Sequence, residues 1–112
     1  MEPILKAILS EMQIHPNMKG YDLIIDAVSI LQEAQDHVPT MQLYEMIAEK
    51  RNSSIGKVER NIRRCISMFQ TYSSSNPEIM QKYFHRSDTG WRLTNSIFLY
   101  SLSNIVSNAM LI

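Results

Sequence analysis

Between Ser53 and Arg64 the chain reads Ser-Ser-Ile-Gly-Lys-Val-Glu-Arg-Asn-Ile-Arg-Arg, and no other stretch of it concentrates so many groups able to do chemistry. Wound at about 100° per residue, Arg60, Arg63 and Arg64 fall within about a third of a helix circumference, opposite Val58, Ile62 and Cys65. A guanidinium bonds to guanine O6 and N7 as a fork, and it also pairs with phosphate oxygens. Ser53 and Gly56 share that side and are small, so the start of the helix is free to approach a groove. Glu59 lies on the flank, where it either accepts from a cytosine amino group or pairs with Arg63. Ser53, Ser54, Gly56, Lys57, Glu59, Arg60, Arg63 and Arg64 form the expected DNA-contacting set. The competing interpretation of the same arginines is a solvated cationic face.

Other chemistries find no support. His15, His37 and His85 fall in three separate connections, and Cys65 sits on an inward stripe, so no ligand set has zinc spacing. Gly20, Gly56 and Gly90 form no loop that would cradle a phosphate. No acid and base pair up on one element, so neither catalysis nor a cofactor is expected. Tyr83, Phe84 and Trp91 are better suited to packing than to stacking on bases.

Positioning the arginines requires a helix-turn-helix, and the flanking residues supply one. Thr40, after Pro39, is the expected cap of a helix through Leu43, Ile47 and Ala48, and Lys50 to Ser53 break the pattern. A helix from Ser54 to about Phe69 follows, with Ile55, Val58, Ile62, Cys65, Ile66 and Phe69 inward. Ala48 is the small residue needed where the two helices cross, and Asn52 tolerates the left-handed backbone that the turn demands. Asn61 stands where the next apolar anchor is expected, and Ile62 takes over that job.

Around this pair the periodicity predicts a first helix carrying Ile4, Leu5, Ile8, Leu9 and Met12 and ending near His15-Pro16. A central helix from Lys19-Gly20-Tyr21 bears Ile24, Ala27, Val28 and Leu31, and Gln35 to Pro39 connect it onward. Thr71 to Asn76 have the composition of a loop. A short helix over Glu78 to Phe84, a loop over Arg86 to Trp91 turning at Asp88-Thr89-Gly90, and a final helix complete the chain. The final helix is capped by Thr94 or Asn95 and buries Phe98, Leu102, Ile105, Val106 and Ala109. The expected fold is all-α, about six helices in a single domain over 1–112. Ile24, Val28, Leu43, Ile47, Val58, Ile62 and Phe98 are its expected core.

Composition agrees with an ordinary globular domain: 112 residues, 45% apolar and 20% charged. Cys65 is the single cysteine, so no internal disulfide forms, and with no signal-peptide pattern a cytoplasmic location is expected. The last nineteen residues carry four Ser, three Asn and a Thr, which argues against a membrane span. Zero net charge is unusual for a nucleic-acid binder, but the distribution is uneven. Residues 1–49 hold eight acids and two bases, Lys6 and Lys19, whereas residues 50–92 hold nine bases and three acids. The molecule is expected to be a dipole with one basic face.

Four blocks carry a family resemblance: Ile8-Leu9-Ser10-Glu11-Met12, Met18-Lys19-Gly20-Tyr21, Tyr44-Glu45-Met46-Ile47-Ala48-Glu49-Lys50 and, most specifically, Lys57-Val58-Glu59-Arg60-Asn61-Ile62-Arg63-Arg64. With near-constant spacing from Ile4 to Phe69, and with Thr94-Asn95-Ser96 opening the closing helix, the chain resembles the effector domain of the stage zero sporulation protein A family. The resemblance implies a six-helix domain with Glu59, Arg60 and Arg63 at base- and phosphate-contacting positions. Arg64 replaces a histidine of the family pattern, and Thr71 to Trp91 match poorly. It also implies a sporulation transcription regulator with double-stranded DNA as partner, two copies side by side on neighbouring half-sites, and an RNA polymerase sigma subunit touching Asn76 to Phe84. The family places a phospho-accepting receiver ahead of the effector, and none is expected within this chain. The alternative function is a degenerate helix-turn-helix module that binds another protein without productive DNA contact.

Overall fold

The computed structural model describes residues 1–86 and 92–111, which form α1 (Glu2–Glu11), α2 (Tyr21–Glu33), α3 (Thr40–Lys50), α4 (Ile55–Ser75), α5 (Pro77–Phe84) and α6 (Asn95–Met110). The described residues contain no strand. α2 lies at the centre and packs on α3, α4 and α6, with α1 on α6 and α5 on α4. Its continuous buried run from Leu23 to Val28 explains the broad apolar surface seen in the sequence. Ile24, Val28, Leu43, Ile47, Val58, Ile62 and Phe98 are all fully buried. On α6 the inner face is completed by Leu99 and Ser103, while Ile105 and Ala109, expected inside, are half-buried.

Several boundaries differ from the sequence reading. α1 stops at Glu11, well before His15-Pro16, because Gln13 adopts a left-handed φ of 64°. The Gln13 amide then donates to the Ser10 carbonyl at 3.0 Å and the Ile14 amide to the Leu9 carbonyl at 2.9 Å. That pairing satisfies two terminal carbonyls and tucks Ile14 into the core beside Leu9. Thr40 is not a cap; Pro39 occupies that position without a side-chain bond. The Thr40 hydroxyl instead shares a 2.6 Å hydrogen bond with Ser96 and donates to the Tyr100 hydroxyl at 3.3 Å, tying α3 to α6.

The loop expected over Thr71 to Asn76 is helix as far as Ser75. The hydroxyls of Thr71, Ser73 and Ser74 donate to the carbonyls of Ser67, Gln70 and Thr71 at 3.1, 2.9 and 2.7 Å, so they find partners within the helix rather than competing with it. Burial of Phe69 and Ser73 holds this end down. α4 ends where Pro77 drives Asn76 out of the helical region, to φ −137° and ψ 66°, and Pro77 itself opens α5 one residue earlier than expected. Phe84 stacks into the core against Phe69 and Phe98, with ring centroids 5.8 and 6.0 Å away. Tyr83 donates its hydroxyl to Glu11, which also accepts from Lys82 at 2.7 Å. The expected turn at Asp88-Thr89-Gly90 and the side chain of Trp91 lie outside the described residues.

Gly20 is required by contact, not by backbone angle. Its φ of −82° suits any residue, but a Cβ there would stand 2.3 Å from the Asn61 carbonyl oxygen and 2.7 Å from Cys65 Sγ. The turn between α1 and α2 thereby seats backbone against α4. Because part of the obstruction is backbone, which cannot swing aside, Gly20→Ala should lower stability by about 1–3 kcal/mol. A thermal melt of that variant overlapping the parent would show that α2 slides on α4 at no cost.

Candidate nucleic-acid interface

The turn between α3 and α4 is built from Arg51 to Ser54. Asn52 takes the left-handed conformation expected of it, φ 51°, and the Ser53 amide reaches back to the Ala48 carbonyl at 2.8 Å. The Ser54 hydroxyl caps α4 by accepting from the Lys57 amide at 3.2 Å. Below the turn, the Asp26 carboxylate is only 4% exposed and accepts from Arg51 at 2.7 and 2.9 Å and from Lys50 at 2.9 Å. Burial alone would raise the Asp26 pKa, but the hydrogen bonds from Arg51 and Lys50 outweigh it and the net direction is downward. The end of α3 is thus clamped to α2, and the start of α4 inherits its direction.

Val58, Ile62, Cys65, Ile66 and Phe69 point inward as expected. Ser53, Ser54, Gly56, Lys57, Glu59, Arg60 and Arg64 are exposed on the other side. Arg63 is different: it is half-buried and its guanidinium is engaged within the fold. It donates to the Leu93 carbonyl at 2.6 Å, Asn95 Oδ1 at 3.4 Å, Gln70 Oε1 at 3.2 Å and Ser67 Oγ at 3.2 Å. Burial, with Arg92 nearby, lowers its pKa. The three arginines expected to point one way therefore divide into two outward groups and one lying along the seam between α4 and α6. Helical spacing puts Arg63 at the edge of the outer face, and carbonyl and amide acceptors in that seam capture it.

Asn95 organises the same seam. It is buried, and its Nδ2 donates to the Tyr44 hydroxyl at 3.0 Å and to the Glu59 carbonyl at 3.2 Å. Thr94, not Asn95, caps α6 by accepting from the Ile97 amide at 3.1 Å. Arg92 joins Glu59 and Arg63 around a shallow depression there. Asp26, Arg92 and Asn95 were not expected at the site. For Asp26 a signal was present, a lone acid within the apolar run Leu23 to Val28; for the other two the sequence carries none.

Comparison with known families shows what kind of domain carries this surface. The family model described as Sporulation initiation factor Spo0A C terminal matches residues 5–106. The chain belongs to the Spo0A C-terminal family. It is a DNA-binding effector domain of a sporulation regulator, in a family not known for catalysis. The Spo0A match runs through Thr71 to Trp91, the stretch in which the resemblance was weakest, so helices α5 and α6 belong to the family fold as well. No solved structure matches the chain. Among the described residues no helix is long and apolar enough to cross a membrane, and no group of three or more His, Cys, Asp or Glu side chains comes together as a metal site.

Two outcomes follow from this arrangement of Arg63 and Asp26. Arg63→Ala should cost about 1–3 kcal/mol in a denaturant melt, since it strands the Leu93 carbonyl and Asn95; an unchanged midpoint would mean that the seam closes without it. The Asp26 contribution should be fully present above its unfolded value near 3.8 and fade as pH falls through the lower folded value. An acid titration of Asp26→Asn should lack that part of the transition, and a curve parallel to the parent's would remove Asp26 from the account.

Proposed function

We propose that this chain is a sequence-specific transcription regulator that lays α4 in the DNA major groove. The observation carrying this reading is the exposed pair Arg60 and Arg64 on a helix whose opposite stripe is buried, entered through the small residues Ser53, Ser54 and Gly56. Arg60 lies nearer the entering end and takes a base edge, guanine O6 and N7 by chemistry. Arg64, a turn further on, meets phosphate as the helix leaves the groove, with Lys57 on the same flank. Arg63 supports the reading by holding α4 to α6, and the exposed Glu59 accepts from a cytosine amino group.

Two copies on adjacent half-sites fit the need for more base pairs than one helix reads, and action on chromosomal DNA fits a cytoplasmic protein. The exposed side chains of α5, Glu78, Gln81 and Lys82, are the surface to which the sigma-subunit contact of the resemblance transfers. A second reading, a protein-binding module, draws support from the exposed apolar side chains Met41, Met46 and Met68.

Salt separates the two, because phosphate binding weakens steeply with ionic strength and an apolar interface does not. Arg60→Ala should cost about 1–3 kcal/mol on a duplex selected by the parent and relax preference at one base pair. Arg64→Ala should weaken all duplexes alike and lower the salt slope by about one unit. Electrophoretic shifts in which both variants bind as the parent does would leave the protein-binding reading in possession.

A further inference from the structure

We propose that Lys19, on the turn between α1 and α2, is a second phosphate-binding group, and that it grips the DNA strand running along the Asn61 side of α4. The inference rests on the groove-reading function above and extends it to an element outside the helix-turn-helix. A helix about 10–12 Å across fills a major groove about 12 Å wide, so the two sugar-phosphate backbones run along its flanks. One flank of α4 faces the seam of Glu59, Arg63 and Arg92. The other faces the α1–α2 turn across an open cleft of about 240 Å³, lined by Lys19 from the turn and by Asn61, Arg64 and Met68 from α4.

Met18, Cys65 and Met68 make much of this cleft apolar, and its charged groups suit an anion. Two cationic side chains line it and no carboxylate does. Lys19 is exposed and makes no ion pair among the described residues, whereas Lys6, the other base of the acidic front half, sits 4.0 Å from Glu2. A phosphate lying along this flank of α4 would meet both cations. The turn also lies directly against α4, with the Gly20 backbone packed on the Asn61 carbonyl, so Lys19 stands beside any groove that α4 enters. A compact ammonium on a flexible stem suits a phosphate oxygen rather than a base edge.

Fluorescence anisotropy would measure the parent, Lys19→Ala and Lys19→Arg on two duplexes of equal length, one selected from random sequence by the parent and one scrambled, between 50 and 200 mM salt. Thermal melts should coincide, since the side chain is exposed. Lys19→Ala should bind both duplexes more weakly by the same factor and with a salt slope lower by about one, so that the loss is roughly 3.5-fold larger at the low-salt end. Lys19→Arg should retain the parent's slope. An unchanged slope in Lys19→Ala, or a loss confined to the selected duplex, overturns the phosphate assignment while leaving the groove-reading function intact. Failure of the parent to bind either duplex removes that function, and this inference with it.

Discussion

One stripe on α4 must be kept from water, and the rest of the molecule is arranged around that requirement. Val58, Ile62, Cys65, Ile66 and Phe69 are buried along about three turns, and a side chain of the Val, Ile or Phe type contributes about 1.5–3 kcal/mol when it leaves water. A helix so anchored cannot rotate, so its far side has a defined direction without any contact of its own. α2, α3, α5 and α6 share the opposing surface, and α2 can lie so close only because Gly20 has no side chain. The outward arginines are aimed by apolar residues on the reverse of the same helix.

Electrostatics completes the aim at the entering end. Asp26 is an acid inside an apolar run, a placement that would be costly alone, and it is tolerated because Arg51 and Lys50 satisfy both carboxylate oxygens. The acidic front half of the sequence is thus not merely a solvated counterweight to the basic middle. One of its acids reaches across to fix the turn from which α4 departs. Neutral net charge and a cationic working face coexist because the charges are sorted by element.

What the sequence made legible was whatever depends on periodicity or on strong local preference. The helix-turn-helix, the left-handed Asn52, the switch from Asn61 to Ile62 as anchor and all seven named core residues follow from such signals. Hydroxyl groups misled, because Ser and Thr bond equally well as caps, within helices or between them. Thr40 spends its hydroxyl on α6, and the serines after Phe69 bond back along α4. Arg63 could not be separated from Arg60 and Arg64 by spacing alone. What separates them is the carbonyl of Leu93, thirty residues away in sequence and contributed by a different element.

That last bond gives α6 a say in what α4 presents. The Arg63 guanidinium is one object that can serve two clients, the segment ahead of α6 and an anion lying along α4. Whatever draws Leu93 and Asn95 away from α4 releases two of the acceptors that hold Arg63 at the edge of the exposed face, and whatever captures that guanidinium loosens Leu93 and Asn95. The two events are linked reciprocally, with the same free energy in each direction. Substitutions around Leu93 to Asn95 would therefore change the charge that α4 presents without touching α4 itself.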